Sequence, residues 1–166
     1  MKPTAADPIP LPEPATEAGT TVLSAIRDRR SRRSFAEEPL SRTALGTLCW
    51  AAQGVTDEEN GFRAAPSAGA TYPLSMIVVV GEGGVVDLDA GVYEYDPDAH
   101  ALSRRRDGDV RGALREACLD QSWVGTAPVS LVLEAAPERT ARQYGDRGRE
   151  RYVPMEVGHA GQNLYL

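Results

Sequence analysis

The run from Leu74 to Val80 closes on four β-branched residues, Ile77, Val78, Val79 and Val80. Such a stretch offers no polar face to solvent, so it predicts a buried strand. Two shorter runs, Gly91 to Asp96 and Ala101 to Arg104, flank Pro97, Asp98 and His100 and predict a hairpin with a loop longer than two residues. Pro128 precedes a third apolar strand, Val129 to Glu134. Helical patterns fall before and between strands that look antiparallel, and the expected class is α+β, a central antiparallel sheet flanked by helices. No G-x-G-x-x-G follows a strand, which argues against a dinucleotide-binding unit.

Helix signals are local. Thr20 or Thr21 can cap a short helix with Val22, Leu23 and Ile26 at helical spacing, which carries Arg29 to Ser31 on its last turn. Ser41 caps a second, whose stripe is Leu45, Leu48, Cys49 and Ala52 and whose stop is Gly54. Asp109 is placed to cap a helix over Val110 to Asp120. Toward the end, Met155, His159, Gln162 and Leu166 lie four, three and four residues apart, one face of a final helix. His159 reads first as a structural histidine, with a ligand or subunit contact as the alternative.

A chain of 166 residues, 42% hydrophobic and 25% charged, is sized for one globular domain. Met1 to Thr20, rich in Pro and Ala without an apolar run, reads as a flexible or extended arm, leaving residues 21–166 as the domain. No stretch has the length of a membrane span or a secretory core, and the chain reads as cytoplasmic without a membrane partner. Cys49 and Cys118 sit in helical patterns and read as buried thiols. Two histidines without a cysteine pair do not make a zinc site, so no metal is expected.

One stretch stands apart: Arg29, Arg30, Ser31, Arg32 and Arg33 follow the first helix. Guanidinium forks around a hydroxyl suit a phosphate. Taken alone, the cluster reads more readily as a solvated helix end, where cations favour the helix dipole. A nucleic-acid surface is disfavoured by the net charge of -6 and pI near 5.0. Residues Thr56 to Thr71 read as a long loop. Within it, Pro66, Ser67, Ala68, Gly69 and Ala70 are small enough for a flat ligand to lie against the backbone, or they form a tight turn into the next strand.

Together these segments resemble a known family. Arg29-Arg30-Ser31-x-Arg33-x-Phe35, Leu48-x-Trp50-Ala51-Ala52-Gln53-Gly54 and Arg63-x-x-Pro66-Ser67-Ala68-Gly69-Ala70-Thr71-Tyr72-Pro73 follow one another as in the nitroreductase superfamily, in its SagB-type dehydrogenase branch. Gly91-Val92-Tyr93-x-Tyr95 and Glu156-x-Gly158-His159-Ala160-x-Gln162-Asn163-Leu164 match that branch as well.

The resemblance implies non-covalent FMN in a pocket between the subunits of a homodimer. By motif, Arg29, Arg30 and Ser31 would hold the phosphate, Arg33 would approach the ribityl chain or the pyrimidine edge, and Pro66, Ser67, Ala68, Gly69 and Ala70 would line the isoalloxazine. Arg32 is the variable position and reads as solvated. The implied activity is hydride transfer through flavin N5 from a donor such as NAD(P)H to an electron-poor organic acceptor. Azoline dehydrogenation on a modified peptide is the alternative, as is a truncated, non-catalytic member. In azoline dehydrogenases of this branch a Lys-Tyr pair precedes the last helix; here Gln143-Tyr144 stands there, leaving Tyr144 as the catalytic proton-transfer candidate. Family domains also continue beyond a helix like the final one here, so the C-terminal part of the domain is expected to be missing, the chain being either a fragment or a truncated member.

Overall fold

The computed structural model describes residues 7–17 and 19–166; residues 1–6 and 18 of the expected arm lie outside them. The described part of the arm is extended and packed. Ile9–Pro10 (β1) pairs with the sheet edge, Leu11 is buried, and the Ala15 N–H donates to Thr47. Gly46 makes room for this, since a Cβ there would lie 2.9 Å from the Pro12 carbonyl oxygen. His100 fastens the same segment. One ring nitrogen pairs with the Pro12 carbonyl at 2.9 Å and the other with the Tyr95 hydroxyl at 2.8 Å.

The helix Val22–Asp28 (α1) forms with Thr21 as its cap, but it ends before the arginines rather than carrying them. Its apolar side chains face solvent, with Val22, Leu23 and Ile26 exposed. Arg42–Gln53 (α2) is capped by Ser41, whose hydroxyl accepts from the Ala44 N–H, and stops at Gly54. The expected loop after it contains a small hairpin instead, Val55–Asp57 (β2) and Phe62–Arg63 (β3). Its turn is fixed by the Asp57 carboxylate, which accepts from the Asn60 backbone and amide.

Leu74–Val80 (β4) is a buried strand as expected, and it has antiparallel partners on both sides: Gly91–Asp96 (β5) and Val129–Ala135 (β7). Ala101–Asp107 (β6) completes the hairpin with β5, and the sheet runs β1-β6-β5-β4-β7. Alternation puts Leu74, Met76, Val78, Val80, Tyr93, Tyr95 and Leu102 into one core with Leu45, Cys49 and Ala52 of α2. Each fully buried Leu, Met or Val side chain in it contributes about 1.5–3 kcal/mol.

The helix expected over Val110 to Asp120 is two pieces, Arg111–Ala117 (α3) and Ser122–Thr126 (α4). Leu119 and Asp120 between them both take positive φ, which breaks the helix. Asp109 serves the start of α3 through the Arg111 N–H without being its cap residue. Two helices close the chain: Pro137–Arg147 (α5), absent from the sequence reading, and Val153–Tyr165 (α6), joined by a wide π-type turn at Gly148–Tyr152. α6 lies along α2 and adds Ala160 to the core. Cys118, expected to be buried, is half-exposed just after α3.

Candidate functional site

The segment from Pro66 to Ala70 is held from beneath. Asn163 on α6 donates its amide to the carbonyl of Ala51 at 2.9 Å and to that of Ala64 at 3.3 Å, tying α2 and the approach to the loop onto one helix. Ser67 accepts the Tyr72 N–H at 3.0 Å, and the Thr71 hydroxyl donates to the Ala68 carbonyl at 3.0 Å. These bonds wind Ala68–Ala70 into one tight turn with Gly69 and Ala70 at φ 59° and 50°. A left-handed alanine costs roughly 1–2 kcal/mol, and strain of this kind concentrates where the backbone must meet a ligand. Pro66, Gly69 and Ala70 are exposed, so the small-residue surface is open.

Over this turn sits the end of α5. A Cβ on Gly69 would lie 2.6 Å from the Tyr144 hydroxyl oxygen and 2.6 Å from the Gln143 amide oxygen. The structure thus brings Gln143 and Tyr144 against the predicted ring-binding segment. Gly145 at φ 59° kinks the chain after them, and the π-type turn sets Tyr152 edge-on to Tyr144 at 5.1 Å.

Between Pro66–Ala68 and α6 lies a cavity of about 220 Å³, lined by Tyr152, Met155, Glu156 and His159. Glu156 is the residue that sequence reasoning missed: it stood in the family motif without a role. Its signal was legible, since Val153, Glu156 and Ala160 recur at helical spacing on the buried side of α6 and all three are buried. Burial pushes the Glu156 carboxyl above its ordinary range, opposed by Ser67, Arg63 and His159. Met155, His159, Gln162 and Leu166 form the exposed face of the same helix.

The arginine stretch lies at the other end of α6. Arg29, Arg30 and Arg32 border an open hollow of about 360 Å³ with Leu164, Tyr165 and Leu166. Nine residues of helix separate Glu156 from Tyr165, about 14 Å at 1.5 Å per residue. Among the described residues none of Arg29, Arg30, Arg32 and Arg33 forms a salt bridge. Arg30 donates to the carbonyls of Arg27 and Arg29, which steadies the turn. Ser31 is exposed. Arg33, expected to approach the ribityl chain or the pyrimidine edge, lies over Trp123 at 4.8 Å, and Arg32, read as solvated, is exposed at the rim of the hollow.

The small-residue segment Pro66–Ala68 and the arginines Arg29, Arg30 and Arg32 thus border hollows toward opposite ends of α6. Residues 26–166 match the Nitroreductase family, and the chain belongs to it. It is 49% identical over 138 residues to a nitroreductase-family protein of Methanocaldococcus jannaschii, covering 83% of this chain and 68% of that one. A nitroreductase-family structure from Ralstonia eutropha superposes with a TM-score of 0.78 at 31% identity, over 95% of this chain and 69% of its own. One from Anabaena variabilis gives 0.71 at 29% identity, over 86% and 29%. The E. coli microcin synthetase McbBCD complex with truncated pro-MccB17 bound shares the fold, at 0.66 and 23% identity over 91% and 60%.

Proposed function

We propose that this chain is the flavin-holding part of an FMN-dependent oxidoreductase of the SagB-type dehydrogenase branch, cytoplasmic and working as a homodimer. When bound, FMN supplies hydride transfer between a donor such as NAD(P)H and an electron-poor organic acceptor. The observation that carries this reading is that the small-residue segment Pro66–Ala68 and the arginines Arg29, Arg30 and Arg32 border cavities toward the two ends of α6.

The residues fit the group. Arg29 and Arg30, with the Ser31 hydroxyl, would hold the phosphate by charge-assisted bonds, and Arg32 would add to the field. Pro66, Ser67, Ala68, Gly69 and Ala70 keep side-chain bulk away from a flat ring, and the strained turn fixes the backbone before the ligand arrives. Arg33 is stacked on Trp123 and would serve the ring or the ribityl chain only after leaving that stack. Tyr144, held against Gly69, positions a phenol to move a proton at its hydroxyl oxygen. The exposed face of Met155, His159, Gln162 and Leu166 is the surface the second subunit covers.

A second reading, azoline dehydrogenation on a modified peptide, rests on Gln143 and Tyr144 meeting Gly69 together. Gln143 supplies no base, so the NAD(P)H-linked reading stands first. Protein saturated with FMN and mixed anaerobically with NADH or NADPH tests it. Bleaching of the flavin's visible band by either nucleotide is expected; a band that persists with both, yet bleaches with a chemical reductant, contradicts the NAD(P)H-linked reading.

A further inference from the structure

Glu156 is buried, with 2% of its surface exposed, and its Oε1 has no hydrogen-bond partner among the described residues. Ser67, Arg63 and His159 are the polar groups that act on the carboxyl, and none of them satisfies that oxygen. Ser67 accepts the Tyr72 N–H, and its own O–H remains the donor that acts on the carboxyl, leaving Oε1 as the oxygen without a partner. An acceptor left unpaired inside a protein costs roughly the whole desolvation of the group, so its retention calls for an explanation. Pro66, Ala68 and Met155 give the cavity an apolar wall, and Ser67, Tyr152 and His159 are its other polar side chains.

We propose that Glu156 anchors the molecule that fills this cavity, by accepting a hydrogen bond from an N–H or O–H carried on a flat apolar body. A carboxylate or phosphate is excluded by like charge, and an ammonium is disfavoured by the Arg63 guanidinium close by. The occupant is therefore a neutral donor. Because the cavity adjoins Pro66–Ala68, the proposal rests on the flavin reading. Two sources meet the chemistry, the imide N–H of a flavin ring and the N–H or O–H of an organic substrate.

The test compares ligands that differ only in the donor. Wild type, Glu156→Met and Glu156→Gln are titrated with FMN against its N3-methyl analogue, and with phenol against anisole. Wild type should prefer the donor member of at least one pair by about 10- to 100-fold, the range of a hydrogen bond to a charged group. Preference in the flavin pair assigns the anchor to the cofactor; preference in the phenol pair assigns it to the substrate. Glu156→Met should abolish the preference and Glu156→Gln, which keeps an amide oxygen, should reduce it.

The melting temperature of Glu156→Met should equal or exceed that of wild type, because an unsatisfied carboxyl has left the interior. No preference in wild type in either pair, or an undiminished one in both variants, overturns the proposal. So does a drop in melting temperature with ligand preference unchanged, which would mark Glu156 as purely structural. If Glu156→Met does not fold, Glu156→Gln decides alone. If wild type binds no FMN, the flavin reading fails and the phenol pair still decides the anchor.

Discussion

The Tyr144 hydroxyl comes down on the backbone of Gly69 so closely that a Cβ at position 69 would lie 2.6 Å from its oxygen. Gly69 also holds φ 59°, so space and backbone both exclude a side chain. Gly69→Ala should cost about 1–2 kcal/mol from the backbone alone, more from the displaced Tyr144, and should weaken FMN binding with it. Denaturant melts and a flavin titration on the variant measure both. A variant as stable as wild type that binds FMN equally well would show that the turn is not preformed for a ligand.

Asn163 ties α6 to Ala51 and Ala64 through one amide group. Asn163→Leu leaves two carbonyls unpaired and should destabilise the fold by about 1–3 kcal/mol. Because Ala64 leads into the Pro66–Ala70 turn, hydrogen exchange should rise there before it rises in β4. Uniform loosening would show that the amide serves global stability only.

Two carboxyls give opposite pH dependences. Asp109 is held down to about 2 from an ordinary 3.8, chiefly by the Arg111 guanidinium, against burial and with help from the N–H groups of Arg111 and Glu82. Its unfolded form binds the proton more tightly, so its stabilisation is complete above the ordinary value and is lost as pH falls toward about 2. With partial exposure discounted, Asp109→Asn should cost about 1 kcal/mol at neutral pH and nothing in strong acid. Glu156 runs the other way. Its folded form holds the proton more tightly, so stability falls as pH rises from the ordinary 4.5 through the raised folded value. Melts of Glu156→Gln should lack that fall.

The two cysteines should separate by reactivity. Cys49 is fully buried and its thiol is pushed up to about 12 by that burial, whereas Cys118 is half-exposed. A thiol reagent should titrate Cys118 in native protein and Cys49 only after denaturant is added. Immediate reaction of both would mean that α2 opens readily.

Much of this was legible in residues whose own chemistry decides their structure. Val78 and Val80 dictate a buried strand, and Ser41 and Gly54 bracket α2, because a β-branched run and a cap act locally. The hairpin Val55–Asp57 with Phe62–Arg63 escaped because strands so short show no alternation, although Asn60-Gly61 marked its turn. Similarly α5 has no apolar stripe: Thr140 is its buried residue, and Pro137 at its start was the available signal. At the site, the small residues of the turn and the arginine cluster could be read directly. What placed Arg33 on Trp123 and Glu156 beneath Ser67 is tertiary packing, which no local pattern encodes.

The most direct measurement is a titration of the purified chain with FMN, followed by quenching of flavin fluorescence, for wild type and for the Arg29→Ala/Arg30→Ala double variant. Saturable binding by wild type, weakened about 100-fold or more when both phosphate-binding guanidiniums are removed, is the predicted result. FMN that keeps its free fluorescence with wild type, or that binds both proteins equally, would contradict the assignment of this site to the cofactor.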